Sequence, residues 1–402
     1  MTPFTRYSLA ASVALALPGA ALAAVNVQCP GDLNDDAVPD TPVYKVPGDP
    51  TSGERQIRCM HLNSGDGFIA MADGEAQYTF GFSDATGFPA DQVLDTGLLA
   101  AEFPAPDIIL EEGDEFYLTL TNVGLVMRPD LFDPHTVHFH GYPNASAIYD
   151  GVPDASIAIN QGSSLTYYYN MYQPGTFMYH CHVEATEHMQ MGMLGQLWVH
   201  PKQNGTPHTY QGRTYTRFAY NDGDGSTGYD VEYGLQLGSF DPVFHDSSLT
   251  VQPLPFANMR DTYPMINGRG YPDTVIPGSL GENPDSGAES QKVSSLVTAQ
   301  QGERILLRLT NLNVTNYYTV GTSGLPMEVV AQGARLLRGP TGKNLYYKTA
   351  SVTVGGGEAY DVIIDTQDVT PGTYHLYTTN LYFLSNDQED FGGMMTEIQI
   401  TP

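Results

Sequence analysis

The chain has 402 residues, 41% hydrophobic and 15% charged, the make-up of a globular protein long enough for two cores. Its formal net charge is -28, from 45 acidic against 17 basic side chains. That balance, with no basic run, argues against nucleic acid and anionic membrane as partners and leaves cationic or neutral small molecules.

The N-terminus, MTPFTRYSLAASVALALPGAALAAVNV, carries Arg6 as its only charge, then an apolar run, then Ala21-Leu22-Ala23 as an A-x-A cleavage pattern. A signal peptide is expected over 1–23. No later segment has the length of a membrane span, so an exported, periplasmic or extracellular protein is expected. A leader over 24–100 follows, rich at its start in Pro, Gly and Asp. Cys29 and Cys59 flank that start, and their disulfide would tie it down, leaving Cys181 as the odd thiol of three. A bare thiol in an oxidising compartment points to a metal or catalytic role. Asp32, Asn34, Asp36 and Asp40 imitate part of a calcium loop, but Ala37 replaces the turn glycine and no acid closes it, so a solvated acidic turn is expected.

Beyond the leader, short β-rich runs recur between Gly, Pro, Asn and Asp clusters: EFYLTLTNV at 115–123, SLTYYYNMY at 164–172, RILLRLTNL at 304–312 and AYDVIID at 359–365. These predict an all-β chain. EEGDEFYLTLTN at 111–122 repeats as QQGERILLRLTN at 300–311, and PGTFMYHCH at 174–182 as PGTYHLYTT at 371–379. Two copies of one β-domain follow, over 24–201 and 215–402, joined by a polar linker at 202–214.

Two segments concentrate metal-ligating side chains: HTVHFHG at 135–141 and YHCHVEATEHMQMGM at 179–193. Strand parity sorts them. His138 and His140 share one face, and so do His180 and His182, while His135 and Cys181 lie on the other. Placed side by side, the segments collect four imidazoles on one face. His188 and Met193, in a loop-like continuation, return to the cysteine side by chain reversal. Two imidazoles, a thiolate and a weak thioether are the ligands of a blue-copper electron-transfer site, whereas structural zinc rarely takes Met. Met189 and Met191 are expected as packing. His61, His200, His208, His245 and His375 lack such company and are expected at surface or hydrogen-bonded positions.

At these residues the chain resembles the multicopper oxidases: HFHG at 138–141 and HCHVEATEHMQMGM at 180–193 look like their copper motifs, and MINGRGYPDT at 265–274 is similar to the opening of a second oxidase domain. The resemblance implies two tandem cupredoxin-like Greek-key β-sandwiches. Among members it is similar to the small two-domain, laccase-like oxidases and the related copper nitrite reductases, whose pattern PHTVHFH at 134–140 approaches. It implies a type 1 copper on His135, Cys181, His188 and Met193, a type 2/type 3 site on His138, His140, His180 and His182, and catalytic roles for Cys181 and His138. It further implies copper as cofactor, a small-molecule, metal-ion or protein reductant, dioxygen as acceptor, and a homotrimer. A blue-copper carrier without oxygen reduction and a nitrite reductase are the alternatives. The family's cluster draws four more histidines from a second domain. Here Tyr377, Thr378 and Thr379 stand in the places of His180, Cys181 and His182, and NYYTVGTSG at 316–324 replaces the other pair, so domain two is expected to lack copper ligands.

Overall fold

Alternation of apolar side chains in EFYLTLTNV lets Glu115–Gly124 bury both faces as a central strand, parallel to Arg55–Ala70 and antiparallel to Ser164–Asn170. The computed structural model describes residues 25–40, 43–44, 55–143, 146–250, 253–282 and 287–402, and the expected signal peptide lies outside them. Ala76–Asp84 folds back on Arg55–Ala70 to complete the first sheet. A second sheet runs Ala105–Glu111, Leu194–His200, Gly175–His180, His138–His140. Leu62, Phe80, Leu118, Tyr167, Phe177 and Leu197, drawn from both sheets, share one buried core.

The internal repeat is a repeat of topology. Arg304–Asn311 is parallel to Val231–Phe240 and antiparallel to Glu358–Asp365, as Glu115–Gly124 is to its neighbours. Gly372–Thr378 lies in the other sheet of this half, between Tyr318–Thr322 and Met395–Thr401. A separate core holds Leu235, Leu307, Tyr318, Val362 and Ile398. The chain is all-β and cupredoxin-like. Among the described residues no helix is long and apolar enough to cross a membrane.

Two expectations need correcting. Much of the stretch taken as a leader, 24–100, is sandwich: Arg55–Ala70 and Ala76–Asp84 carry Leu62, Tyr78, Phe80 and Phe82 into the core. Gly65, Gly67 and Asp66 break its apolar pattern, but Asp66 is buried as acceptor of Tyr78 Oη and the Val126 and Met127 amides. The segment taken as a linker, 202–214, contributes to a hairpin, His208–Tyr210 paired with Arg213–Tyr215, with Arg213 ion-paired to Asp365. The Cys29–Cys59 disulfide is present and fastens the N-terminal segment to Arg55–Ala70.

Alternation along Gly175–His180 decides what faces what. Phe177 and Tyr179 enter the first core, while Met178 joins Phe240, Met265 and Ala359 in a cluster between the two halves. Beside it, the buried Arg308 guanidinium donates to Thr176 Oγ1 at 2.7 Å, pairs with Glu232 and Asp361, and lies 5.6 Å over Trp198. A buried cation is tolerated where both carboxylates and hydrogen bonds compensate it.

Candidate metal centre

The inward-facing group sits at one end of the first core. Cys181 follows the last residue of its strand and is fully buried. His135 is held by a reciprocal pair of backbone hydrogen bonds to Ile159, which brings its Nδ1 to 3.9 Å from Cys181 Sγ. What was expected as a loop after Cys181 contains a short helix, Ala185–Gln190, entered through Glu184 in the left-handed region (φ 44°). Its turn returns His188 Nδ1 to 3.2 Å from Sγ. Gly192 (φ 116°) then reverses the chain where a Cβ would strike Thr79 Oγ1 at 2.6 Å, so only glycine fits. Met193 is pinned by backbone bonds, donating to His188 O at 2.9 Å and accepting from the Cys181 amide at 3.1 Å, with its side chain in the same core. Asp133 accepts from His188 Nε2 at 3.2 Å, which fixes the tautomer with the Nδ1 lone pair toward the sulfur. Burial alone would raise the Cys181 thiol, but His188 and His135 bring it down to about 5. Burial opposes charge on His188 too, yet Cys181 and Asp133 carry it well above an ordinary histidine.

The outward face gathers the other four rings. His138 and His180 stand opposite each other across the strand pair with ring centres 5.2 Å apart, His140 is 5.4 Å from His180, and His182 is 5.1 Å from His138. His182 lies beyond the strand, its amide donating to Thr136 Oγ1. Nδ1 of His138 donates to the Asp150 carbonyl at 2.6 Å, and Nδ1 of His180 to the Cys181 carbonyl at 2.7 Å, so both present a bare Nε2. His140 points Nδ1 at His180 Nε2, 3.2 Å away. Ligand atoms of His138, His140 and His180 all lie within 4.8 Å of one another, as do those of His135, Cys181 and His188. Burial lowers all three outward imidazoles, His180 to about 3, so their lone pairs are free at neutral pH. Both donor sets fit copper: a thiolate with two imidazoles on one side, neutral imidazoles alone on the other.

An open groove of about 740 Å³ borders the inward group, lined by Leu131, Phe132, Asp133, Glu184, Glu187 and Phe256. Burial pushes Glu187 up to about 7. The Asp-rich turn forms as expected, Asp32 accepting from the Asn34, Asp35 and Ala37 amides and Asp40 from that of Leu33.

Two family profiles, each described as multicopper oxidase, match residues 88–204 and 247–399, together about two thirds of the chain. The chain belongs to the multicopper oxidase family. The family binds copper. A multicopper oxidase of Talaromyces pinophilus is 34% identical over 122 residues, 30% of this chain and 19% of that one. A laccase of Cryptococcus neoformans var. neoformans is 24% identical over 312 residues, 74% of this chain and 42% of that one. The match thus spans less than half the length of either relative. In fold, this multicopper oxidase is similar to a blue copper oxidase from Nitrosomonas europaea, with TM-score 0.62, 24% identity and 86% of each chain covered. A copper nitrite reductase from Nitrosomonas europaea gives TM-score 0.58 at 17% identity, covering 86% and 94%.

Of the residues expected as ligands, His135, Cys181 and His188 converge in one group and His138, His140 and His180 in the other, while Met193 is placed beside the first by its backbone bonds and His182 beside the second by its ring contact with His138. Three contributors were not foreseen. Asp133 stands two residues before His135, and a carboxylate so close to a metal-type histidine is a legible signal. The Asp150 carbonyl is backbone and leaves no trace in sequence. Gly357, from the second half, is the third: a Cβ there would lie 2.8 Å from His140 Nε2. Three of the remaining histidines find hydrogen-bond partners: His61 Nε2 on Thr121, His200 on Glu111 and Glu232, His245 on two carbonyls.

Proposed function

We propose that the chain is an exported copper-dependent oxidoreductase that takes electrons at a type 1 copper on His135, Cys181, His188 and Met193 and delivers them to the histidine face, with dioxygen as acceptor. The observation that carries this is Cys181 flanked by two imidazole Nδ1 atoms, one of them oriented by Asp133. Copper held there supplies a one-electron couple, with strong thiolate and weak thioether ligation. The surrounding core keeps water from the sulfur. Asp133 holds the Nε2 proton of His188 while lining the groove, so a small reductant in the groove lies beside the ligand ring. Its aromatic and acidic walls suit a neutral or cationic donor. From Cys181 the onward route is short: one peptide bond to His180, bridged by the hydrogen bond from His180 Nδ1 to the Cys181 carbonyl.

This proposal includes the division into domains at 24–201 and 215–402, removal of residues 1–23 on export, and assembly as a homotrimer. The second reading, a blue-copper carrier without acceptor chemistry, draws on Tyr377, Thr378 and Thr379 in the repeat, where the first half has its ligands. Copper loading of the purified protein decides the first step. A blue absorption band that is reduced by a phenol or ferrous iron and recovers in air supports the proposal, and Cys181→Ser must abolish it. A band that stays reduced in air leaves the carrier reading instead.

A further inference from the structure

We infer that the outward face holds a single copper, on His138 Nε2, His140 Nδ1 and His180 Nε2, and that the chain therefore carries two coppers and no multinuclear cluster. This rests on the copper assignment above but goes beyond it by fixing the number of ions. Metal–imidazole bonds are about 2 Å, so nitrogens bound to one ion stand at most about 4 Å apart. The three converging nitrogens, within 4.8 Å of each other, need only small ring rotations to meet that limit. A second ion would need its own set of about three ligands. Among the described residues, His182 and the Asp150 carboxylate, 3.5 Å from His138 Nδ1, are the donors that remain beside them, one short of such a set.

Two further observations close the alternatives. The first is a full count of imidazoles. The chain has 11 histidines. Six are the metal-type set of His135, His188 and the four outward rings, apart from His61, His200, His208, His245 and His375. His61, His200 and His245 are buried or partly buried and hydrogen-bonded. Only His208 and His375 are left, so a neighbouring copy of this chain has at most two spare rings to lend. The second is Gly357. Its left-handed turn (φ 85°) brings the second half of the same chain so close that a Cβ there would lie 2.8 Å from His140 Nε2, which leaves no room for a partner's ring or a second ion at that nitrogen. That contact also explains why His140 turns Nδ1, not Nε2, toward His180.

The test is copper(II) titration of the whole purified protein, with total copper counted by mass spectrometry and cupric spins by electron spin resonance. Two coppers per chain are expected, both spin-visible, one blue and one not. His140→Ala should remove the non-blue copper alone, with circular dichroism unchanged. Gly357→Ala, which crowds the same ring without deleting it, should weaken that copper and spare the blue one. Three or more coppers per chain, or a spin-silent pair, overturns the inference. So does one blue copper with nothing on the outward face. A single non-blue copper lost in His140→Ala would instead uphold this site while refuting the type 1 assignment, so the two conclusions fail separately.

Discussion

Replacing Asp133 probes the reasoning about the inward group most directly, because this carboxylate touches no metal ligand except His188. Its side chain is 12% exposed and its oxygen lies 3.2 Å from His188 Nε2. Removing such an outer partner typically costs about 10- to 100-fold in metal affinity, or about 1.4 to 2.8 kcal/mol. Asp133→Ala should fall within that range, since the His188 ring loses its fixed tautomer and any water entering from the groove is a weaker acceptor than the carboxylate. Asp133→Asn keeps an acceptor but loses the charge, and charge-assisted hydrogen bonds are about twice as strong as neutral ones, so about half the effect on the energy scale should remain. Copper affinity, measured by competition with a chelator of known affinity while circular dichroism tracks the fold, gives the comparison. An alanine variant that binds copper within about threefold of the parent protein would refute the claim that Asp133 orients His188.

Cys29→Ser with Cys59→Ser opens a loop of sequence separation 30, and chain entropy alone predicts a loss of about 3.5 kcal/mol; urea midpoints with an unchanged slope would check it, and no shift would show the N-terminal segment to be unimportant for stability. His200 bridges Glu111 and Glu232: burial alone would lower it, but the two carboxylates raise it to about 9. A raised pKa gives stability that is fully present below about pH 6.5 and fades as pH rises through about 9, worth about 2 kcal/mol after discounting for the exposed Glu111. His200→Gln should therefore lower the melting temperature at pH 6 and make no difference at pH 10, and equal losses at both would contradict the linkage. Two one-electron centres take dioxygen only to hydrogen peroxide, O₂ + 2e⁻ + 2H⁺ → H₂O₂. Catalase added after turnover with a phenol should then return half the oxygen consumed, and no return would argue for full reduction to water.

The sorting of the ligands was legible in the sequence because a strand has a period of two. His138, His140 and His180 against Cys181 is a parity statement, and parity survives any arrangement of the sandwich. His182 and His135 kept their assigned sides although neither lies in a regular strand, since each is tied by backbone bonds next to one. The helix Ala185–Gln190 was missed because six residues are too few for periodicity to register. Asp66, Gly65 and Gly67 hid the long strand Arg55–Ala70, as the buried carboxylate finds its donors in other segments.

By itself, then, the sequence determined the strand class, the repeat, the disulfide partners and the chemical identity of both ligand groups, all of which follow from local residue type and spacing. The tertiary structure decided what lies against them. Asp133 behind His188, the Asp150 carbonyl behind His138 and Gly357 over His140 are contacts between segments whose distance in the fold no spacing rule encodes. Those contacts set which nitrogen each ring offers.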